Sequence, residues 1–247
     1  MTLGQVDLTG DGLLVVVPTY NEAGNLSPLI DGILAATPRA HVLVVDDASP
    51  DGTGALADSI AQRNASVHVL HRSGKLGLGT AYVAGFSWAA ERGYELVAEM
   101  DADHSHDPRD LPRLLRAIAA GADVAVGSRN VPGGGILGWG LGRHLLSKGG
   151  SLYARAVLGS PIHDMTTGFK VYRRAALDAI TPLTLRSNGY AFQIETTYRA
   201  LRAGARVVEV PIVFVDRRAG ASKMDRRIFV EAIGGVWRML LGEGRLR

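Results

Sequence analysis

Short, largely apolar runs alternate along this chain with polar loops and with segments whose apolar residues recur every three to four positions. The first run, Leu13 to Val17, is β-branched and uncharged, and it breaks into Pro18-Thr19-Tyr20-Asn21-Glu22. A helical pattern follows from about Asn25 to Ala36 and closes before Pro38. Val42 to Val45 gives way to Asp46-Asp47-Ala48-Ser49-Pro50-Asp51-Gly52, then to a helix over about Thr53 to Arg63. Val67 to Leu70 leads into the glycine-rich turn Gly74 to Gly79 and a helix to Arg92. Leu96 to Met100 ends in Asp101-Ala102-Asp103, and after a further helix Val124 to Val126 ends in Gly127-Ser128-Arg129.

Apolar runs of this length suit strands buried on both faces. The repeated order of strand, polar loop and helix predicts an α/β fold: a mostly parallel central sheet with helices on both faces. Ligands of such sheets collect outside the carboxyl ends of the strands. Asn21-Glu22, Asp46-Asp47, Asp101 to Asp103 and Arg129 all fall at those ends. Polar clusters at both ends would have indicated ordinary turns.

The pattern changes from about residue 132. Pro132-Gly133-Gly134-Gly135 is a loop, and Ile136 to Leu158 reads as helix interrupted by glycines, with Arg143, His144, Lys148 and Arg155 interleaved. A short strand is expected over Lys170 to Tyr172, a helix over about Phe192 to Ala203, and one or two strands over Val207 to Val215, broken at Pro211. Arg226 to Leu241 reads as an amphipathic helix with a basic start. One domain over residues 1–224 is therefore expected, followed by a C-terminal amphipathic helix over 225–247.

Composition narrows the class. The 247 residues are 47% hydrophobic, enough for one sizeable core. There is no cysteine, which excludes disulfides and thiolate metal sites. The first residues carry no basic, apolar leader pattern. No apolar stretch reaches the roughly 18 residues of a spanning helix, so a soluble or peripheral protein is expected. The net charge of +3 hides an uneven distribution, with Arg and Lys gathered after residue 140. That asymmetry suits an anionic partner, either phosphate or an anionic membrane surface.

Asp101 and Asp103 can converge through the turn after their strand and present two carboxylates to one cation. Oxygen ligands select Mg²⁺ or Mn²⁺, ions that share their shell with substrate phosphates. The competing reading is a helix cap. Of Asp46-Asp47, one carboxylate is expected to bind a base or ribose, and Asp51 to cap a helix. Tyr20 could flank a base and Glu22 accept from ribose or base. Gly74 to Gly79 is not a Walker loop, because no Gly-Lys-Ser/Thr follows at the required spacing. Arg129 closes a buried strand at the ligand edge and offers a fork for phosphate. His104 and His106 have no third zinc ligand at convincing spacing. No Gly-x-Ser-x-Gly is present.

Val-Val-Pro-Thr-Tyr-Asn-Glu, Val-Asp-Asp-Ala-Ser-Pro-Asp-Gly-Thr and Glu-Met-Asp-Ala-Asp-His-Ser-His resemble the motifs of family 2 glycosyltransferases of the GT-A fold. Gly127-Ser128-Arg129, Asp164 to Phe169, Gly189 to Glu195 and Phe214 to Arg217 narrow the resemblance to the polyprenol (dolichol) phosphate mannosyltransferases, over about residues 13 to 224. The resemblance implies inverting transfer of mannose from GDP-mannose to a polyprenyl phosphate. It places Pro18, Tyr20, Glu22, Asp46, Asp101, Ala102 and Asp103 at the donor, and Asp101, Asp103 and Ser105 at the metal. It places Arg129, Arg143, Ser147, Arg217 and Lys223 at the phosphates, with Asp103, Arg129 and Arg217 as the catalytic set. Asn188 departs from the Lys that related enzymes often carry, which removes a phosphate contact unless a neighbour such as Arg186 supplies it.

An acceptor phosphate monoester has a second pKa of about 6 and is already a nucleophile at neutral pH, so this chemistry needs no strong general base. The lipid acceptor gives a role to the apolar and basic mixture of the second half. Residues of about 136–158 and the tail helix suit either a membrane surface or packing on the core or a partner. A peripheral position on the cytoplasmic face of the membrane follows, with a membrane-embedded partner protein conceivable and no nucleic acid partner. Two other readings fit the same residues: a polyprenyl phosphate glucosyltransferase using UDP-glucose, and a non-catalytic nucleotide- or lipid-binding protein.

Overall fold

The computed structural model describes residues 6–180, 187, 189–216, 226–243 and 246. Strands β1 (Leu13–Thr19), β2 (His41–Asp46), β3 (Val67–His71), β4 (Leu96–Glu99) and β5 (Val124–Ser128) alternate with helices α1 (Ala23–Ala36), α2 (Thr53–Arg63), α3 (Leu78–Glu91) and α4 (Leu111–Ala119). Then come β6 (Gly135–Leu137), α5 (Leu141–Leu158), β7 (Lys170–Arg173), α6 (Arg174–Ile180), α7 (Gly189–Arg202), β8 (Val207–Pro211), β9 (Val213–Val215) and α8 (Arg226–Glu243). Seven strands form one sheet in the order β3-β2-β1-β4-β7-β5-β8. All neighbours in it are parallel except β7, which runs antiparallel to both β4 and β5.

Strand periodicity divides the core. Leu13, Val15, Val17, Val42 and Val44 pack under Leu26, Leu29, Ile30 and Ile33 of α1 and Leu111, Leu114, Leu115 and Ile118 of α4. The alternate residues Leu14, Val16, Leu43 and Val45 face Tyr82 and Phe86 of α3 and Phe192 of α7. Both faces are dry, which is why these strands read as unbroken apolar runs. Helix α3 lies so close to β1 that a Cβ on Gly85 would stand 2.4 Å from Val16 Cγ1. A third cluster joins Ala154 and Leu158 of α5, Ile194 and Tyr198 of α7, and Val236 and Met239 of α8.

The helix expected over 136–158 needs correction. Ile136 lies in β6, which pairs in parallel with β9, and the helix begins only at Leu141. Gly138 lies between them at φ +86°, a backbone state that ends any helical run. Helix α6 was not anticipated. Its seven residues follow β7 without a loop, so no polar break marks its start.

Candidate active site

The loops after β1, β2 and β4 meet at the carboxyl edge of the sheet. Each holds one non-glycine residue in the left-handed region: Asn21 at φ +61°, Ala48 at +53° and His104 at +59°. Such strain persists where surrounding bonds over-determine the backbone. The bonds are present here. The amides of Asn21, Glu22 and Ala23 donate to Ser49 Oγ, Thr53 Oγ1 and Asp51 Oδ2 at 3.1, 2.9 and 3.1 Å. Asp51 also accepts from Thr53 N, so one carboxylate caps the starts of both α1 and α2.

Asp46 is committed to its own loop. Oδ1 accepts from Thr19 Oγ1 at 3.0 Å and Ser49 Oγ at 2.6 Å, and Oδ2 accepts from Ser49 N at 3.1 Å. Asp47 instead faces the glycine-rich loop, where Leu76 N donates to Oδ2 at 3.1 Å. Arg72 Nη1 stands 3.2 Å from Asp47 Oδ1, without hydrogen-bond geometry. Burial pushes the Asp47 carboxyl up, against the opposing charge of Arg72. Lys75 from the same loop lies over the Tyr20 ring, 4.3 Å from its centroid, and so spans the cleft between the β1 and β3 loops. Glu22 accepts from Asn25 Nδ2 at 2.7 Å, and Pro18 is half-buried at the end of β1.

Asp101 and Asp103 flank buried Ala102 at the end of β4. Tyr82 Oη donates to Asp101 Oδ1 at 3.1 Å. Ser105 donates to Asp103 Oδ1 from both N (3.1 Å) and Oγ (2.5 Å), and its side chain is buried behind that carboxylate. Ser105 thus orients Asp103. Among the described residues no group of three or more His, Cys, Asp or Glu side chains could hold an ion. The two carboxylates offer part of an oxygen shell, which fits a hard cation completed by diphosphate and water. It does not fit zinc. His104 turns away and donates from Nε2 to the Asn25 carbonyl at 3.0 Å. His106 is stacked on Phe169 and edge-on to Phe214, and burial lowers its pKa to about 4.

Arg129 leaves β5 at the same edge and is buried. Nε and Nη2 donate to Asp164 Oδ2 and Oδ1 at 2.7 Å each, its backbone N donates to Oδ2 at 3.0 Å, and Nη2 also reaches Thr166 Oγ1 at 2.9 Å. Burial opposes the guanidinium charge, but Asp164 outweighs it and holds the pKa above its ordinary value, with Tyr190 and Asp101 adding to the effect. Glu209 of β8 fixes the Asp164 loop by accepting from Ser128 Oγ, His163 N and Asp164 N at 2.7 to 2.9 Å. Ser147 is half-buried on α5. Arg143 is also on α5, but its side chain falls outside what the structure describes, and Arg217, Lys223, Arg186 and Asn188 lie outside the described residues.

Beneath Asp101 lies a polar layer that the sequence reading did not single out. Lys170 is fully buried, and Nζ donates to Gln193 Oε1 (2.7 Å), Gln193 O (2.9 Å) and Thr196 Oγ1 (2.9 Å). Burial brings its pKa down to about 8, opposed by Glu99, Asp164 and Asp101. Glu99 is also fully buried, accepts from Tyr172 Oη at 2.9 Å, and is pushed up by burial against the pull of Lys170. The available signal was an acid within the otherwise apolar β4 and a base at the start of β7.

A model of the family described as Glycosyl transferase family 2 matches residues 14–181. Polyprenol monophosphomannose synthase of Mycolicibacterium smegmatis is 52% identical over 221 residues, spanning 89% of this chain and 83% of that protein. Undecaprenyl-phosphate mannosyltransferase of Micrococcus luteus is 50% identical over 226 residues, spanning 92% and 93%. A solved mannosyltransferase of Pyrobaculum calidifontis, in complex with GDP-Man and Mn²⁺, superposes with a TM-score of 0.65 at 20% identity, covering 98% of this chain and 67% of that one. That last likeness is one of fold, and the fold is GT-A, as the motifs implied.

Proposed function

Because the chain belongs to glycosyl transferase family 2, we propose that it transfers mannose from GDP-mannose to a polyprenyl phosphate, with inversion at the sugar. The observation that carries this reading is the likeness, at half identity over nine-tenths of the chain, to two proteins named for joining mannose to polyprenyl phosphates. The geometry agrees with it. A nucleotide half, made by Tyr20, Glu22, Asp47 and the glycine-rich loop, adjoins a cationic half made by Arg129 on its Asp164 support.

In the reaction a phosphate oxygen of the acceptor attacks C1 of mannose while the C1–O bond to GDP breaks, and GDP leaves with that electron pair. The attacking oxygen is already anionic, so the protein's contributions are position and charge. Asp101 and Asp103 would hold Mg²⁺ or Mn²⁺, which supplies charge neutralisation on the diphosphate. Tyr82 and Ser105 keep the two carboxylates in place. Arg129 is locked in one orientation by Asp164 and Thr166, which leaves Nη1 as its donor toward a phosphate. Arg143, Ser147, Arg217 and Lys223 complete the phosphate-binding set in this reading.

The lipid acceptor puts the reaction at a membrane surface, on its cytoplasmic face. Among the described residues no helix is long and apolar enough to cross a membrane. Helix α8 buries Val236 and Met239 and exposes Trp237, Arg238 and Leu241. An outward aromatic, cationic and aliphatic mixture suits a headgroup boundary or a membrane-embedded partner protein.

Thermal shift with Mn²⁺ and either GDP or UDP tests the donor. Stabilisation by GDP is expected, and stabilisation by UDP alone would move the reading to a glucosyl donor. Release of GDP from GDP-mannose only when a short polyprenyl phosphate is supplied tests the acceptor. No release with both substrates and metal present would favour a non-catalytic binding protein.

A further inference from the structure

The β4–β7 ladder pairs Glu99 with Lys170. Carried two residues further, the same register sets Asp101 opposite Gly168. Strand alternation places Glu99 and Asp101 on one face together with Lys170 and Tyr172, beneath α3 and α7. Tyr82 of α3 reaches Asp101 by its hydrogen bond, and Gln193 of α7 borders the glycine beside it. A Cβ on Gly168 would stand 3.2 Å from Asp101 Oδ2 and 3.3 Å from Gln193 Nε2, so carboxylate and amide border one small space.

The orientation of that amide is fixed. An ammonium only donates, so the Gln193 atom 2.7 Å from Lys170 Nζ is the oxygen. The nitrogen consequently points away from Lys170, toward Gly168. Gln193 is 2% exposed, and Nε2 makes no full hydrogen bond, although it lies near enough to the Glu99 carboxyl to pull its pKa down. A buried donor left unpaired is costly and calls for an explanation. Glu99 Oε2 likewise makes no full hydrogen bond, so the amide's contact with it leaves capacity to spare. An amide nitrogen carries two hydrogens, one for each of the bordering carboxylates.

We propose that Gln193 is a positioning residue for Asp101, its amide anchored through Lys170 and closing across Gly168 onto the carboxylate when Asp101 binds a divalent cation. The inference rests on Asp101 being a metal-binding carboxylate. An amide suits this place better than an ammonium. Lys170 in direct contact would pair with the carboxylate and compete with the cation. Gln193 transmits the fixed position of Lys170 while leaving the charge of Asp101 intact, as groups that orient metal ligands from behind commonly do.

The test is Mn²⁺ titration of the full chain, followed by electron paramagnetic resonance in the presence of GDP, with melting temperature recorded alongside. Gln193→Glu keeps an oxygen on Lys170 but turns an acceptor toward Asp101. A purely structural role for Gln193 would leave Mn²⁺ binding unmoved in that variant. Mn²⁺ affinity is expected to fall about 10-fold or more at an unreduced melting temperature. Unchanged or tighter Mn²⁺ binding would overturn the inference. Should Gln193→Glu fail to fold, Gln193→Met serves in its place, because it fills the same space and removes the amide without touching Asp101, while Lys170 keeps its bonds to the residue-193 carbonyl and Thr196 Oγ1. The same fall in affinity is expected there, and wild-type affinity would again overturn it. Wild-type protein that binds no Mn²⁺ would instead remove the metal assignment itself.

Discussion

Arg129 grips Asp164 with both prongs of its guanidinium and with its own backbone amide, and almost none of either side chain meets solvent. The pair ties the end of β5 to the loop that leads into β7. It is thus a structural joint whose two charges offset each other. Removing one partner of a buried, hydrogen-bonded pair leaves the other charge uncompensated, at about 3–5 kcal/mol. Asp164→Ala is expected to lose that much stability in urea or thermal unfolding. A variant that melts with wild type would show the joint to be dispensable.

The same pair sets an acid sensitivity. Burial alone would raise the Asp164 carboxyl, but the charge and hydrogen bonds of Arg129 outweigh it and hold it below the usual carboxylate range. The unfolded chain, with an Asp pKa of about 3.9, therefore takes up this proton more readily than the folded one. The stabilisation is complete above that value and drains away as pH falls through it toward the lower folded pKa. Melting temperatures should drop on acidification below about pH 4. Asp164→Asn, weaker at neutral pH, should lose less over the same interval. Parallel pH profiles for the two proteins would contradict this.

Helix α3 carries Tyr82 to Asp101 only because Gly85 lets it settle on β1. Gly85→Ala drives a methyl group into Val16. Overpacking of this kind costs about 1–3 kcal/mol. Reduced stability is expected together with weaker Mn²⁺ binding, since Tyr82 moves with the helix. A full-strength metal response in a destabilised variant would uncouple the two effects.

Asp103→Ala removes one of the two carboxylates assigned to the cation and leaves the buried Ser105 donors without their acceptor, at about 1–3 kcal/mol. Transfer should fall by about 100-fold or more, while the melting temperature drops only modestly and the fold persists. Chelation of divalent ions should have the same effect on the unmodified protein. Substantial turnover in either case would place the metal elsewhere or remove it from the reaction.

The parallel half of the sheet was legible because its central strands are buried on both faces, so β1 and β2 are uninterrupted apolar runs closed by polar loops. Asp101, Asp103 and Arg129 stood out because they lie in the polar loops that close such runs. Orientation in space was not legible. Nothing in Lys170-Val171-Tyr172-Arg173 declares an antiparallel strand, since direction is set by what closes the gap between β4 and β5. Ile136 and Leu137 mimic a helical start, and only the positive φ of Gly138 separates them from α5. Asp46 and Asp47 are adjacent and alike in sequence, yet one is consumed by Thr19 and Ser49 while the other faces Arg72 and Leu76. The Lys170–Gln193 pair was hidden because its members lie on different elements, 23 residues apart.

The reversed strand also bears on the order in which the protein is made. β4 and β5 never touch along their length, because β7 occupies the slot between them. The chain must therefore leave β5, build α5 and return before the middle of the sheet can close. Closing so long a loop comes late, after the local strand–helix pairs have formed. The β1 to β4 half can thus assemble from the growing chain on its own terms. The insertion of β7 between β4 and β5 brings Gly168 against Asp101 and the Asp164 loop to Arg129. The inserted strand thus ties together the two edges that carry Asp101 and Arg129.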